Sequence, residues 1–171
     1  GAGFMAREYL IVLKALKCRV KIIGRGGARI KKLKNEFNDF DFYYGGIDKF
    51  LKSEKKVPSF AINAVSISQL ENVTHSLINF GVKNILVEKP GSLTREGLLK
   101  INNSALKKGI NVGIAYNRRF LSSIAKLKKE IKIDGGVSSV HFEFTEWIHT
   151  IDPSIYDKES LTKWILSNSS H

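Results

Sequence analysis

Short apolar runs separated by helical stretches constrain this chain most. Val20 to Ile23, Phe60 to Val65, Asn84 to Val87 and Asn111 to Ala115 each hold four to six residues, and Phe42 to Tyr44 forms a shorter run closed by Gly45-Gly46. Continuous apolar runs of this length suit strands buried on both faces, as parallel sheets require. The segments between them read as helices. Phe4 to Leu16 carries an apolar stripe through Met5, Tyr9, Leu10 and Leu13, and Ala28 to Phe37 is basic and amphipathic. Ile47 to Leu51 forms a helical turn or two, and Gln69 to Phe80 a longer helix. Thr94 is a good N-cap for a further helix, which Gly109 is placed to end. Repeated crossovers of this kind predict an α/β fold, a doubly wound parallel sheet with helices on both faces.

The pattern changes near Phe120, so a first domain over 1–120 and the start of a second over 121–171 are expected. Leu121 to Ile131 reads as a Lys-rich helix, followed by a Gly135-Gly136 turn. Val137 to Thr145 reads as a strand alternating through Val140, Phe142 and Phe144. Alternation suits an antiparallel sheet with one wet face, so an α+β domain with an open, mainly antiparallel sheet is expected. Ile151 to Ser160 is polar and irregular, and Leu161 to Leu166 looks helical. The chain opens on a glycine-rich turn that ordinarily follows a strand and closes just after an apolar run. It therefore reads as a fragment whose first strand and remaining second domain lie outside it, inactive by itself.

A formal charge of +12, from 28 basic and 16 acidic residues, raises the question of a nucleic-acid partner. The distribution argues against one. The lysines recur along helices, as in Lys31-Lys32-Leu33-Lys34 and Lys126-Leu127-Lys128-Lys129, and no aromatics alternate with them as a base-stacking platform would require. Cys18 is the single cysteine, so no intrachain disulfide forms, which fits a reducing cytoplasm. No run approaches the ~20 apolar residues of a membrane span. His75, His141 and His149 form no metal-binding pattern with Cys18, and no metal site is expected.

Three ordered motifs carry the chemistry. Gly1-Ala2-Gly3-Phe4-Met5-Ala6 matches the first part of G-x-G-x-x-G/A, in which glycines let the backbone approach a pyrophosphate at a helix amino terminus. Taken alone, an ordinary glycine-rich turn would read the same. At the end of the following strand, where an acid would hold the ribose hydroxyls of NAD, stand Gly24 and Arg25. Gly24 leaves room and Arg25 supplies a planar cation, which favours the 2′-phosphate of NADP or stacking on adenine; a surface arginine in a turn is the plain alternative. Glu88-Lys89-Pro90 and Tyr116-Asn117-Arg118-Arg119 close consecutive expected strands, at the edge where open α/β sheets bind ligands. Ser66, after the Phe60 to Val65 strand, lies at the same edge and is a candidate ribose or phosphate contact, with helix capping by Ser68 the alternative.

The order GAGFMA, then VEKP, then AYNRRF resembles the Gfo/Idh/MocA oxidoreductases, from residue 1 to the end of the chain. The resemblance implies a Rossmann domain followed by a substrate-binding α/β domain with a large open sheet, often in an oligomer. It implies hydride transfer between NAD(P) and a hydroxyl carbon of a sugar or polyol, with NADP favoured here over NAD by Arg25. By the same resemblance Lys89 touches the substrate oxygen near the nicotinamide, Glu88 helps shape the cofactor site, and His171 falls at the acid/base position. Asn117 and Arg118 match the segment that closes the cofactor domain. Histidine titrates near neutral pH and a cationic lysine favours a developing alkoxide, so this division of labour is chemically sound. One departure is Ser167, where many members carry an aspartate four residues before that histidine. It keeps open a catalytically inactive, nucleotide-binding relative with a regulatory or structural role; a basic nucleic-acid binder is the third alternative.

Overall fold

The structure is a computed structural model and describes residues 1–143 and 145–166. The chain divides into two compact units, Gly1–Ala115 and Tyr116–His171.

The first unit alternates helix and strand throughout: α1 (Phe4–Ala15), β1 (Lys21–Gly24), α2 (Ala28–Glu36), β2 (Asp41–Tyr44), α3 (Gly46–Ser53), β3 (Phe60–Asn63), α4 (Leu70–Phe80), β4 (Asn84–Val87), α5 (Arg95–Lys107) and β5 (Asn111–Ile114). Every ladder is parallel, as the buried apolar runs predict. The hydrogen-bonded strands fall into two sheets, β1-β2 and β3-β4-β5. Register is continuous within each, with Ile23 opposite Tyr43 in the first and Asn63 opposite Val87 opposite Ile114 in the second. Gly1 and Ala2 run past the carboxyl ends of β1 and β3. A Cβ on Gly1 would overlap the Ala64 carbonyl oxygen, and one on Gly24 would lie 3.3 Å from Ala2 Cβ. Only glycine permits that first approach.

Two apolar clusters hold the unit together. The larger joins Leu70, Leu77 and Ile78 of α4 to Ile85 and Val87 of β4 and to Ile101 and Ala105 of α5. Ile78, Val82 and Val87 are completely shielded from solvent. The smaller joins Leu10 of α1, Ile22 of β1 and Leu33 of α2 to Phe37, whose ring stacks on Phe40. Local signals set the helix ends. Thr94 accepts a hydrogen bond from the Gly97 N–H at 2.9 Å, the N-cap expected from sequence, and Gly81 takes the left-handed conformation that closes α4.

In the second unit, a 3-10 turn at Asn117–Phe120 leads into α6 (Ser122–Ile133). The strand expected over Val137 to Thr145 is not formed among the described residues, and Phe144 lies outside them. Alternation makes a strand only where a second strand completes its ladder; here Val140 and Phe142 are both exposed. The antiparallel sheet is thus absent from the described residues. A short helix, α7 (Lys158–Thr162), begins inside the segment read as irregular and runs into the stretch expected to be helical over Leu161 to Leu166, where helical backbone resumes at 164–166 after a turn at Lys163. Its start is fixed by Asp157, whose carboxylate accepts from the Ser160 N–H at 2.9 Å.

The larger cluster yields a stability prediction. Ile78→Ala will cost about 3 kcal/mol by loss of burial and cavity formation. Leu106→Ala, on the exposed side of α5, will stay within about 0.5 kcal/mol. Urea midpoints at unchanged m-value measure both, and equal losses would place the core elsewhere.

Candidate functional site

Parallel register sends the chain segments after β1 to β5 out of carboxyl edges, and the residues singled out in the first unit lie on those segments or on the glycine turn. The N–H groups of Glu88 and Ala115 extend the ladders by one step, bonding to the carbonyls of Asn63 and Val87 at 2.9 and 2.8 Å. Glu88 and Lys89 thereby leave β4 as a fixed continuation of the sheet. The Lys89-Pro90 peptide is cis, and Pro90 is buried.

Beneath this turn lies a compact polar support. Ser92, almost fully buried, donates to Glu71 Oε2 at 2.7 Å and accepts from the Thr94 N–H at 3.2 Å. Glu71 belongs to α4 and Thr94 caps α5, so the turn after Lys89 is fastened to both helices. Asn63, at the end of β3, is buried and donates through Nδ2 to the Leu70 carbonyl and to Thr74 Oγ1, both at 2.9 Å. Its Oδ1 has no hydrogen-bond partner among the described residues, a cost that fully paired amides avoid.

Helix α1 begins at Gly3, whose backbone is extended and which offers no side-chain cap; no acidic residue stands in the first turn. Its leading N–H groups are the orphan donors that suit an anion. A Cβ on Gly3 would meet nothing within 4 Å, so the space over the turn is open, and Phe4 and Met5 beside it are exposed. These features fit a pyrophosphate. Arg25 leaves β1 on the exposed side, its stem passing Gly46, whose added Cβ would lie 3.3 Å from Arg25 Cγ. No carboxylate among the described residues pairs with it. Ser66 is exposed and starts the 3-10 turn Ile67–Gln69 through its carbonyl, not its hydroxyl. Ser68 caps no helix through its side chain; α4 follows Gln69.

Sequence reasoning placed Tyr9 on an apolar stripe and missed its other end. The Tyr9 hydroxyl donates to Glu88 Oε1 at 2.6 Å, joining the helix of the glycine turn to the strand end that bears Lys89. Burial, reinforced by the hydrogen bond and the negative charge of Glu88, raises the Tyr9 phenol well above its ordinary value. The available signal was a polar-tipped aromatic among aliphatics.

Gly1, Gly3, Phe4, Met5, Gly24, Arg25, Ser66, Glu88 and Lys89 all belong to the first unit. Asn117 and Arg118 are exposed on the 3-10 turn that opens the second. Ser167 and His171 lie outside the described residues. Among the described residues there is no cluster of His, Cys, Asp and Glu able to hold a metal ion, and no helix is long and apolar enough to cross a membrane.

No protein-family model and no curated protein sequence matches the chain. Solved structures do. WlbA dehydrogenase from Chromobacterium violaceum, in complex with NADH and UDP-GlcNAcA, is 14% identical with a TM-score of 0.69 over 78% of this chain and 38% of its own. GenD2 from gentamicin A biosynthesis, in complex with NAD, is 20% identical with a TM-score of 0.70 over 82% of this chain and 40% of its own. An NAD-binding oxidoreductase from Klebsiella pneumoniae is 16% identical with a TM-score of 0.62 over 81% and 38%. The chain thus spans about two fifths of the length of these structures. What it shares with them is the fold, an α/β arrangement of parallel strands alternating with helices.

Two predictions follow from the site's supports. A Cβ at Gly97 would overlap Glu71 Oε2 and Ser92 Oγ. Gly97→Ala will therefore destabilise by about 2 kcal/mol despite alanine's better helix propensity. A gain in thermal midpoint would show that the Glu71–Ser92 pair yields freely. At alkaline pH the Tyr9 phenol, held protonated in the fold, contributes stability below the unfolded value near 10, and this is lost as pH rises beyond it. Tyr9→Phe will flatten the stability decline above pH 10, measured by urea midpoints at stepped pH.

Proposed function

We propose that residues 1–120 form the NAD(P)-binding domain, and 121–171 the start of the substrate domain, of an oxidoreductase of the Gfo/Idh/MocA type. The reaction is hydride transfer between a nicotinamide cofactor and a hydroxyl carbon of a sugar or polyol. One observation carries this reading: the uncapped start of α1 over Gly1-Ala2-Gly3 is tied through Tyr9 to Glu88, the residue that precedes Lys89. Nucleotide site and candidate catalytic lysine thus share one rigid support. The fold likeness to NAD-bound dehydrogenases agrees with it, and the UDP-GlcNAcA held by one of them supports a sugar-like substrate class.

The residues divide the work by their chemistry. Gly1 and Gly3 admit close backbone approach, and the first-turn N–H groups of α1, with Phe4 and Met5 beside them, face the pyrophosphate. Gly24 and Arg25 receive the adenosine end, where a planar cation favours a 2′-phosphate and hence NADP. Ser66 offers a hydroxyl at the same edge, and Glu88 borders the nicotinamide end. When bound, the nicotinamide accepts or donates the hydride. Lys89 holds its ammonium toward the substrate oxygen and lowers the cost of alkoxide charge, while His171 takes or returns the hydroxyl proton. Asn117 and Arg118 close the cofactor domain. The full-length protein is read as a cytoplasmic homo-oligomer that binds neither nucleic acid nor membrane.

The test is titration of the full-length protein with NADPH and NADH, followed by nicotinamide fluorescence. NADPH will bind more tightly, and Arg25→Ala will erase about 10-fold or more of that preference, the size of a lost charge-assisted hydrogen bond. Lys89→Ala will keep cofactor affinity and lower turnover on a polyol panel by about 100-fold. Binding of neither cofactor overturns the reading; cofactor binding with full turnover in Lys89→Ala removes the lysine from the chemistry.

A further inference from the structure

We propose that Tyr9 is a positioning residue of this site: its hydroxyl fixes the Glu88 carboxylate, and through it the Lys89 turn, relative to the glycine turn that starts α1. The inference rests on the functional reading above and adds a residue that no motif marks.

Glu88 is held from several directions. Its N–H bonds the Asn63 carbonyl at 2.9 Å, its own carbonyl accepts from the Gly91 N–H at 3.0 Å, and its Oε1 accepts from Tyr9 at 2.6 Å. The first two bonds fix the backbone within the β4 edge; the third is the one that reaches α1. A hydrogen bond from a neutral phenol to a carboxylate is charge-assisted and among the stronger kinds available to a half-buried pair. The raised phenol value means that Tyr9 donates throughout the physiological range. With Oε1 engaged, Oε2 has a defined direction and takes no hydrogen bond among the described residues, so it is available to a hydroxyl donor on a bound ligand.

Packing alone does not account for the tyrosine. Its helix neighbours Ala6 and Leu10 are buried, while Tyr9 is half-buried with its polar end on an acid 79 positions away. Phenylalanine would fill the same ring volume. What the hydroxyl adds is a coupling of two segments whose relative placement decides whether a dinucleotide and Lys89 meet in register, where small misplacements cost rate steeply. Tyr9 lies six residues beyond Gly3, about 9 Å along the axis at 1.5 Å per residue, so a single helix sets both positions.

The experiment is a double-mutant cycle on the full-length protein with Tyr9→Phe, Glu88→Gln and the double variant, reading nicotinamide-cofactor affinity, kcat, substrate KM and thermal midpoint. Tyr9→Phe will weaken cofactor binding and lower kcat, each by about 10-fold, with substrate KM unchanged and the protein still folded. The double variant will be no worse than the worse single one, the signature of a shared interaction. A purely space-filling role would leave cofactor affinity and kcat at parent values in Tyr9→Phe, because phenylalanine keeps the ring. Parent-like binding and kcat in Tyr9→Phe, or multiplying effects in the cycle, would each overturn the proposal while leaving the functional reading intact. If the parent itself binds neither NADH nor NADPH, both fall together.

Discussion

Strand β4 is hydrogen-bonded on both sides, to β3 and to β5, and its inward residues Ile85 and Val87 are buried against α4 and α5. No other strand of the first unit is bonded on two sides. A segment held in both the sheet plane and the core has little freedom to lose, and the residues that leave its end inherit that order. Glu88 and Lys89 are therefore placed by burial some distance beneath them, which is how a scaffold delivers functional groups on a turn.

The polar groups around this end serve the same constraint. Ser92, Glu71 and Thr94 satisfy one another where the chain passes from β4 into α5, so a buried turn carries few unpaired groups. Asn63 is only partly satisfied, its amide nitrogen engaged with α4 while Oδ1 is orphaned. The charges that dominate the composition do different work. Arg7 pairs with Glu36 and Lys14 with Asp39 on solvated surfaces, where such pairs add little, and Lys21 pairs with the more shielded Glu54. The excess of lysines sits on outer helix faces, whereas Arg25 stands at a strand end without a carboxylate partner among the described residues.

The first unit was largely legible because its strands are short buried runs and its helices carry caps that act locally, such as Thr94 and Gly81. The carboxyl-edge placement of Glu88 and Lys89 follows from parallel crossovers, which periodicity reveals. What stayed hidden depends on partners distant in sequence. Tyr9 looked like one more apolar stripe position, since nothing near it in the chain announces an acid 79 residues on. The division of the ladders into two sheets is likewise a matter of which edges meet, and composition does not record it. In the second unit the alternation through Val140 and Phe142 describes a face without naming what would complete it, and no strand forms over it among the described residues. The Asp157 cap, by contrast, was a local signal that reading missed beside the more conspicuous run at Leu161 to Leu166.

Helix α1 gives these observations a common mechanical sense. Its amino terminus offers unpaired N–H donors above an open turn, its buried stripe through Leu10 joins the β1–α2 cluster, and Tyr9 reaches across to the end of β4. The helix thus touches both sheets, which share no hydrogen-bonded ladder, and its contact with the second sheet's exit passes through a hydroxyl group. Apolar burial is tolerant of small slides, because many weak contacts exchange for others; a short hydrogen bond to a carboxylate is directional and is not. Rigid cores set the approximate position of the two halves of the edge. The Tyr9–Glu88 bond then sets the register between the turn that suits a phosphate and the turn that bears the lysine.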